Sequence, residues 1–191
     1  MSIKIHNTLS GKKETFKPLV AGRLGMYQCG PTVYDSAHIG NFRTYVMNDI
    51  IRRIFEYNGY FVTQVMNITD VDDKTIGRSQ REKTTLTELT RRYETLFLED
   101  MRSMNILLPH RILRATDHIA EMIDMIAMLL EKGYAYPSKD GIYFSIGKSE
   151  GYGQLAKLKI APTSTAMLQE RIKNDEYEKE NPRDFALWKF H

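Results

Sequence analysis

The residue types best suited to chemistry gather in YQCGPTVYDSAHIGN, residues 27–41. Cys29 is the single cysteine of the chain, and a thiolate is both a nucleophile and a soft metal ligand. His38 follows in the same stretch and can present a ring N–H to a phosphate oxygen. Gly30 and Gly40 allow the backbone to approach a ligand closely. Each feature also has an ordinary explanation. Gly-Pro is a turn dipeptide, an isolated cysteine belongs to the most buried residue types, and a histidine beside a helix start is a cap neighbour. What decides between these readings is whether the surrounding elements bring the residues to one place.

Those elements read clearly. LGMYQC (24–29) is a short apolar run ending at Gly30-Pro31 and reads as a buried strand. TYVMNDIIRRIFEYNG (44–59) is the clearest helix: Val46, Ile50 and Ile54 fall four apart, with Met47, Ile51 and Phe55 beside them, which makes one apolar stripe. On that wheel Arg52 lies opposite Ile50 and Ile54 and is expected in solvent. Arg53 lies at the stripe's edge, with its charge reaching water. Gly59 stands where a helix ends. YFVTQVMNI (60–68) is β-branched and apolar, a strand. Strand, loop, helix and strand make one right-handed βαβ unit with parallel strands. Ligands of open α/β sheets bind at the carboxyl ends of the strands, in loops leading to helices. The Cys29–Asn41 loop is such a place, and the helix opening near Gly40 offers free N–H groups and a positive dipole end to a phosphate.

Elsewhere, residues 2–19 read as a small hairpin, 85–104 as a second long helix, and 116–133 as a third, capped by Thr116. Lys139-Asp140-Gly141 centres a hairpin. From about 157 to 183 the chain turns polar, and RIKNDEYEKENPR reads as solvated surface of mixed sign. In TDVDD, Thr69 or Asp70 is the expected N-cap, and the carboxylates of Asp70, Asp72 and Asp73 suit capping better than Mg²⁺, since their spacing is not that of an EF-hand. GIYFSIGKS is not a P-loop, because five residues rather than four separate Gly141 from Gly147. His118 and Glu121 share a helix face as solvated residues, and His6, His110 and His191 join no constellation. DFALWKFH reads as a strand with Trp188 almost at its end, which implies a chain that continues.

Composition sets outer bounds. Apolar residues at 42% can fill a core, and charged residues at 27% are ordinary for a globular domain. The apolar runs are too short to span a membrane, and the first residues form neither a signal peptide nor an amphipathic presequence. One cysteine excludes an intrachain disulfide and fits a reducing, cytoplasmic compartment. A net charge of +3 permits a nucleic-acid partner without requiring one.

HIGN (38–41) resembles the HIGH-type signature of class I aminoacyl-tRNA synthetases. The longer stretches MYQCGPTVYDSAHIGN, NITDVDDK (67–74), RATDHI (114–119) and NPRDFALWK (181–189) resemble, in that order and at similar spacing, the cysteinyl-tRNA synthetases. This resemblance spans essentially the whole chain. It implies an α/β fold: a Rossmann-like parallel sheet of the class I synthetase type with a mostly helical insertion. Residues 1–74 would form the first half of the nucleotide-binding fold with its hairpin, 75–180 the insertion, and 181–191 a strand returning to the sheet. It implies ATP, with Mg²⁺, held along Pro31, Thr32, Val33, Tyr34, Asp35, Ser36, Ala37, His38, Ile39, Gly40 and Asn41. His38 and Asn41 would carry the catalytic charge stabilisation. Asn41 replaces the second histidine of HIGH and still offers hydrogen bonds.

By the same resemblance Cys29, Gly30 and Thr69 bind the substrate cysteine, and Cys29 is one ligand of a Zn²⁺ whose other ligands would lie beyond residue 191. Zinc suits the selection of cysteine, because a thiolate bonds it far better than a hydroxyl does, whereas shape alone separates small side chains by only ~1–3 kcal/mol. The implied enzyme is a cysteine–tRNA ligase acting on cysteine, ATP and tRNA(Cys), expected as a monomer. The KMSKS motif is also absent, so these residues alone are expected to be inactive. The alternative on the same scaffold is a ligase joining cysteine to a small-molecule amine.

Overall fold

The computed structural model describes residues 2–157 and 183–190. The chain divides into two compact units, Phe16–Ile119 and Ser2–Thr15 with Ala120–His191.

In the first unit, β3 (Arg23–Gln28) and β5 (Arg111–Arg114) lie on either side of β4 (Phe61–Ile68), and both pairings are parallel. The register sets Arg23 opposite Phe61 and Gln28 opposite Met66. α1 (Ile39–Tyr57) crosses from β3 to β4, giving the βαβ unit that the sequence predicts. α2 (Asp73–Glu82) and α3 (Leu86–Ser103) follow, each opened by a capping box: Asp72 with Thr75, and Thr85 with Glu88. The expected cap at Thr69 or Asp70 is therefore displaced to Asp72. Asp70 is buried instead, and its two carboxylate oxygens accept hydrogen bonds from the Thr116 N–H (3.0 Å) and hydroxyl (2.6 Å).

β4 alternates as a half-covered strand should. Val62, Gln64, Met66 and Ile68 are buried on one face, while Phe61, Thr63, Val65 and Asn67 line the other. The buried face packs against Phe42 and Tyr45 of α1 and Leu89, Tyr93, Phe97 and Met101 of α3, with Val33 and Ile106 completing the cluster. Phe97 is the hub, 4.9 Å from the ring of Tyr45 and 6.1 Å from that of Phe42. β3 departs from the buried strand expected: Leu24 and Met26 are half-buried, and Tyr27 and Cys29 are exposed.

The helix wheel of α1 also needs rotating. Its buried residues are Phe42, Tyr45, Asp49, Arg52 and Phe55, whereas Ile50 and Ile54 are 42% and 45% exposed. Arg52, expected in solvent, is 9% exposed. Its guanidinium donates to Glu56, to the Gln64 side chain and to the Leu108 carbonyl (2.7, 3.2 and 2.9 Å), with His110 Nε2 at 3.3 Å. A buried cation is tolerated because it is paired and hydrogen-bonded. His110 is thus drawn into a network, and its Nδ1 accepts the Gln64 backbone N–H at 3.0 Å. Arg53 matches the expectation of a partly exposed edge residue, paired with Asp49 at 2.7 Å.

In the second unit, β1 (Lys4–Asn7) and β2 (Lys12–Thr15) form the expected antiparallel hairpin. α4 (Ile119–Glu131) is preceded by a 3₁₀ turn over Ala115–His118, so Thr116 does not cap it directly. β6 (Ala135–Pro137) and β7 (Gly141–Phe144) are the hairpin about Asp140. β8 (Phe185–Lys189) pairs antiparallel with β7, in this sheet and not in the parallel sheet that the sequence reading assigns it to. Conversely β5, inside the stretch expected to be the insertion, pairs with β4. Asp184 anchors β8: buried, it accepts from the Tyr136 hydroxyl (2.8 Å) and the Ile146 N–H (3.0 Å). The polar stretch from about 157 to 183 lies almost wholly outside the described residues.

Candidate functional site

The carboxyl ends of β3 and β4 come together through backbone pairing that continues past both strands. The Val33 N–H donates to the Thr69 carbonyl (3.2 Å), and the Thr69 N–H donates to the Pro31 carbonyl (3.0 Å), so Thr32 and Thr69 form a parallel bridge. Cys29 and Gly30 are thereby held beside Asn67 and Thr69. Gly30 has a strict reason to be glycine: a β-carbon there would run into the Asn67 carbonyl oxygen and stand 2.8 Å from Met66 Cγ. Val33 turns inward and is 1% exposed, which pins the middle of the loop.

At the far end of the loop, His38 caps α1. Its Nδ1 accepts the Gly40 N–H at 3.0 Å, and its own N–H donates to Asn41 Oδ1 at 3.0 Å. Two consequences follow. With Nδ1 occupied as acceptor, the neutral ring carries its proton on Nε2, which is left to donate to a ligand. Asn41 spends its carbonyl oxygen on the cap, and its amide N–H₂ keeps the donor capacity. A β-carbon at Gly40 would come within 2.8 Å of His38 Cε1, so this glycine sets the ring's position.

Between these ends, Tyr34 is half-buried beneath the Lys74 ammonium, 5.4 Å from the ring centroid. Asp35 accepts the Ser36 N–H (2.9 Å) and lies 3.5 Å from Arg78 of α2. Tyr34 also lines an open groove with Asp73, Lys74, Gly77 and Arg81. Ala37 packs on the core, while Ser36, Ile39 and Gly40 are exposed. The loop is therefore a strap fixed at Val33 and Ala37, presenting His38 and the positive end of the α1 dipole outward, while the Gly40, Asn41 and Phe42 N–H groups all donate to His38 itself. The cations of α2 beside it escaped the sequence reading, because the helix period that places Lys74, Arg78 and Arg81 toward the loop depends on where α2 begins.

Cys29 is exposed. Two tyrosines feel it. Burial first, and then the neighbouring Cys29, push the Tyr45 hydroxyl up to about 12, and the same two causes raise that of Tyr27. The described residues hold no cluster of three or more His, Cys, Asp or Glu side chains able to seat a metal ion. Cys29 is thus a fitting zinc donor but a single one, and one thiolate does not make a zinc site. No helix among the described residues is long and apolar enough to cross a membrane.

Asn67 is the residue that the sequence reading passed over, although it lies within NITDVDDK. Its Oδ1 accepts from both the Tyr27 hydroxyl (2.9 Å) and the Gly30 N–H (3.0 Å), and its Nδ2 donates to the Thr69 hydroxyl (3.2 Å). Polar residues ending a strand carry no periodicity that would single one out.

Comparison with known proteins bears on the family and the fold. The chain is 47% identical over 190 residues to the cysteine–tRNA ligase of Koribacter versatilis, covering 99% of this chain and 38% of that one. The cysteine–tRNA ligase of Thermococcus kodakarensis is 47% identical over 193 residues, with 99% and 39% covered. The chain thus spans under two-fifths of the length of these two relatives. Two solved structures share the fold. A leucyl-tRNA synthetase of Agrobacterium radiobacter in a ternary complex has a TM-score of 0.54 at 19% identity, covering 66% of this chain and 16% of that one. A Mycobacterium tuberculosis methionyl-tRNA synthetase in complex with methionyl-adenylate has a TM-score of 0.53 at 20% identity, covering 64% and 25%. The model of the class I (C) tRNA synthetase catalytic domain matches residues 15–191, and with the parallel sheet and the capped strand-to-helix loop it shows that the chain belongs to that family.

Proposed function

We propose that the protein to which these residues belong activates cysteine with ATP and transfers it to tRNA(Cys). The observation that carries this is the near-half identity to cysteine–tRNA ligases along 99% of the chain. The reading of a cysteine ligase to a small-molecule amine is not favoured, since these relatives are named tRNA ligases.

In the first step a carboxylate oxygen of cysteine attacks the α-phosphorus of ATP. A new P–O bond forms, the bond to the bridging oxygen of the β-phosphate breaks, and pyrophosphate leaves. In the second, a ribose hydroxyl of the terminal adenosine of the tRNA attacks the carbonyl carbon, and AMP leaves. Neither step needs a nucleophile from the protein, so catalysis rests on orientation and charge stabilisation. The stretch Pro31–Asn41 is the proposed ATP strap. Within it the His38 Nε2–H, the Asn41 side-chain amide and the positive end of the α1 dipole are proposed to face the phosphates, whose Mg²⁺ travels with ATP.

Gly30 and Thr69 shape the amino-acid pocket, and Cys29 is a zinc ligand. Zinc, when bound, distinguishes a thiolate from a hydroxyl. The protein is proposed to work as a cytoplasmic monomer. The test is pyrophosphate exchange and tRNA charging by the full-length protein. Exchange that depends on cysteine, followed by charging of tRNA(Cys), is expected; exchange that depends on another amino acid overturns the reading.

A further inference from the structure

One carboxamide organises both walls of the proposed amino-acid pocket. Asn67 stands at the end of β4, on the sheet face not covered by α1 and α3, and bonds to Tyr27 and Gly30 from β3 and to Thr69 two residues ahead. Counting donors and acceptors fixes what each partner has left. The Gly30 N–H is consumed by Oδ1, so its peptide plane is locked and that N–H is unavailable to a ligand. The Tyr27 proton is consumed by the same oxygen, leaving its hydroxyl as an acceptor. The Thr69 hydroxyl receives a proton from Nδ2, so its own proton is directed away from Asn67. A carboxamide alone among the side chains of this size accepts twice and donates once in this geometry.

We infer that Asn67 is a positioning residue for the amino acid: it holds the Thr69 hydroxyl as a donor and fixes the Gly30 peptide beside Cys29, so that amino-acid binding depends on it and ATP binding does not. This rests on the function proposed above. The proposal predicts a split between the two substrates, because His38 and the N-terminus of α1 are held by their own capping box and not by Asn67.

The variants Asn67→Ala and Asn67→Asp separate positioning from folding. Aspartate keeps both acceptor bonds, to Tyr27 and Gly30, but cannot donate to Thr69. It turns the Thr69 proton inward. In full-length protein, pyrophosphate exchange gives KM for cysteine and for ATP, and thermal melting reports the fold. The expected result is a cysteine KM raised about tenfold or more in both variants, the worth of one misdirected hydrogen bond, with ATP KM within about twofold of wild type. Asn67→Asp melts close to wild type. A cysteine KM in Asn67→Asp within about twofold of wild type, or equal rises in both KM values, overturns the inference while leaving the proposed function standing. Wild-type exchange that does not depend on cysteine overturns both.

Discussion

Gly30 lies so close to Asn67 that a β-carbon on the one would overlap the carbonyl oxygen of the other. The opposing atom is backbone and belongs to β4, so it cannot swing aside as a side chain would. Gly30→Ala is expected to destabilise the first unit by about 1–3 kcal/mol. In the full-length protein it is expected to lower cysteine-dependent exchange about a hundredfold, since a displacement of ~1 Å near a reacting centre has that scale. Chemical denaturation and exchange kinetics check the two effects. Wild-type stability and activity together in this variant would refute the close approach.

His38 combines two duties that substitution can separate. Its Nδ1 caps α1, and its Nε2–H is the proposed phosphate donor. His38→Ala is expected to lose the cap, about 1 kcal/mol, and to slow exchange about 10²–10³-fold, the scale of one lost oxyanion donor. His38→Asn restores a good cap but is too short to present the outer N–H. It is expected to recover the melting temperature and not the rate. Recovery of both would mean that His38 acts only through the helix.

The loop and the βαβ unit were legible because they rest on local signals: a run of β-branched residues in β4, the four-residue spacing of α1, and glycines at the turn. The packed face of α1 was not legible. Two apolar stripes run along this helix, and periodicity cannot say which of them meets α3. The choice fell to Phe42, Tyr45 and Phe55, which carry Asp49 and Arg52 inward with them; Asp49 is tolerated because it accepts the Leu107 N–H and the Arg53 guanidinium. β5 is four residues long and β8 has a pattern that suits either sheet, so their partners are decided by tertiary contact alone. Asn67 and Asp70 illustrate the same limit at the site. Both are strand-end polar residues whose role comes from partners distant in sequence, Gly30 and Thr116.

Arg52 gives a direct test of the rotated helix. Removing its guanidinium leaves the buried Gln64 side chain and the Leu108 carbonyl without a donor. Arg52→Ala is expected to cost about 2–4 kcal/mol, from one or two unsatisfied buried groups and the lost packing of the side-chain stem. A solvent-facing arginine would give a change within about 0.5 kcal/mol. Urea denaturation distinguishes the two outcomes, and Ile50→Ala supplies the complementary reading, with a smaller loss than Phe55→Ala because Ile50 is exposed.

Asp70 and Thr116 join the end of β4 to the turn before α4, and they do so through two bonds of different kind. Thr116→Ala removes the hydroxyl and leaves the backbone N–H bonded to Oδ1. Asp70→Ala removes both acceptors and strands that N–H. Asp70→Ala is therefore expected to cost about 2–3 kcal/mol and Thr116→Ala about 1 kcal/mol, since hydrogen bonds to a charged group lie at the upper end of the range. The double variant is expected to fall short of the sum by about 1 kcal/mol, because the hydroxyl bond is counted in both single variants. Asp70→Asn can accept the N–H and donate to the hydroxyl, and it should recover most of the loss. Strict additivity in the double variant, measured by denaturation of all four proteins, would show that these two residues do not hold each other.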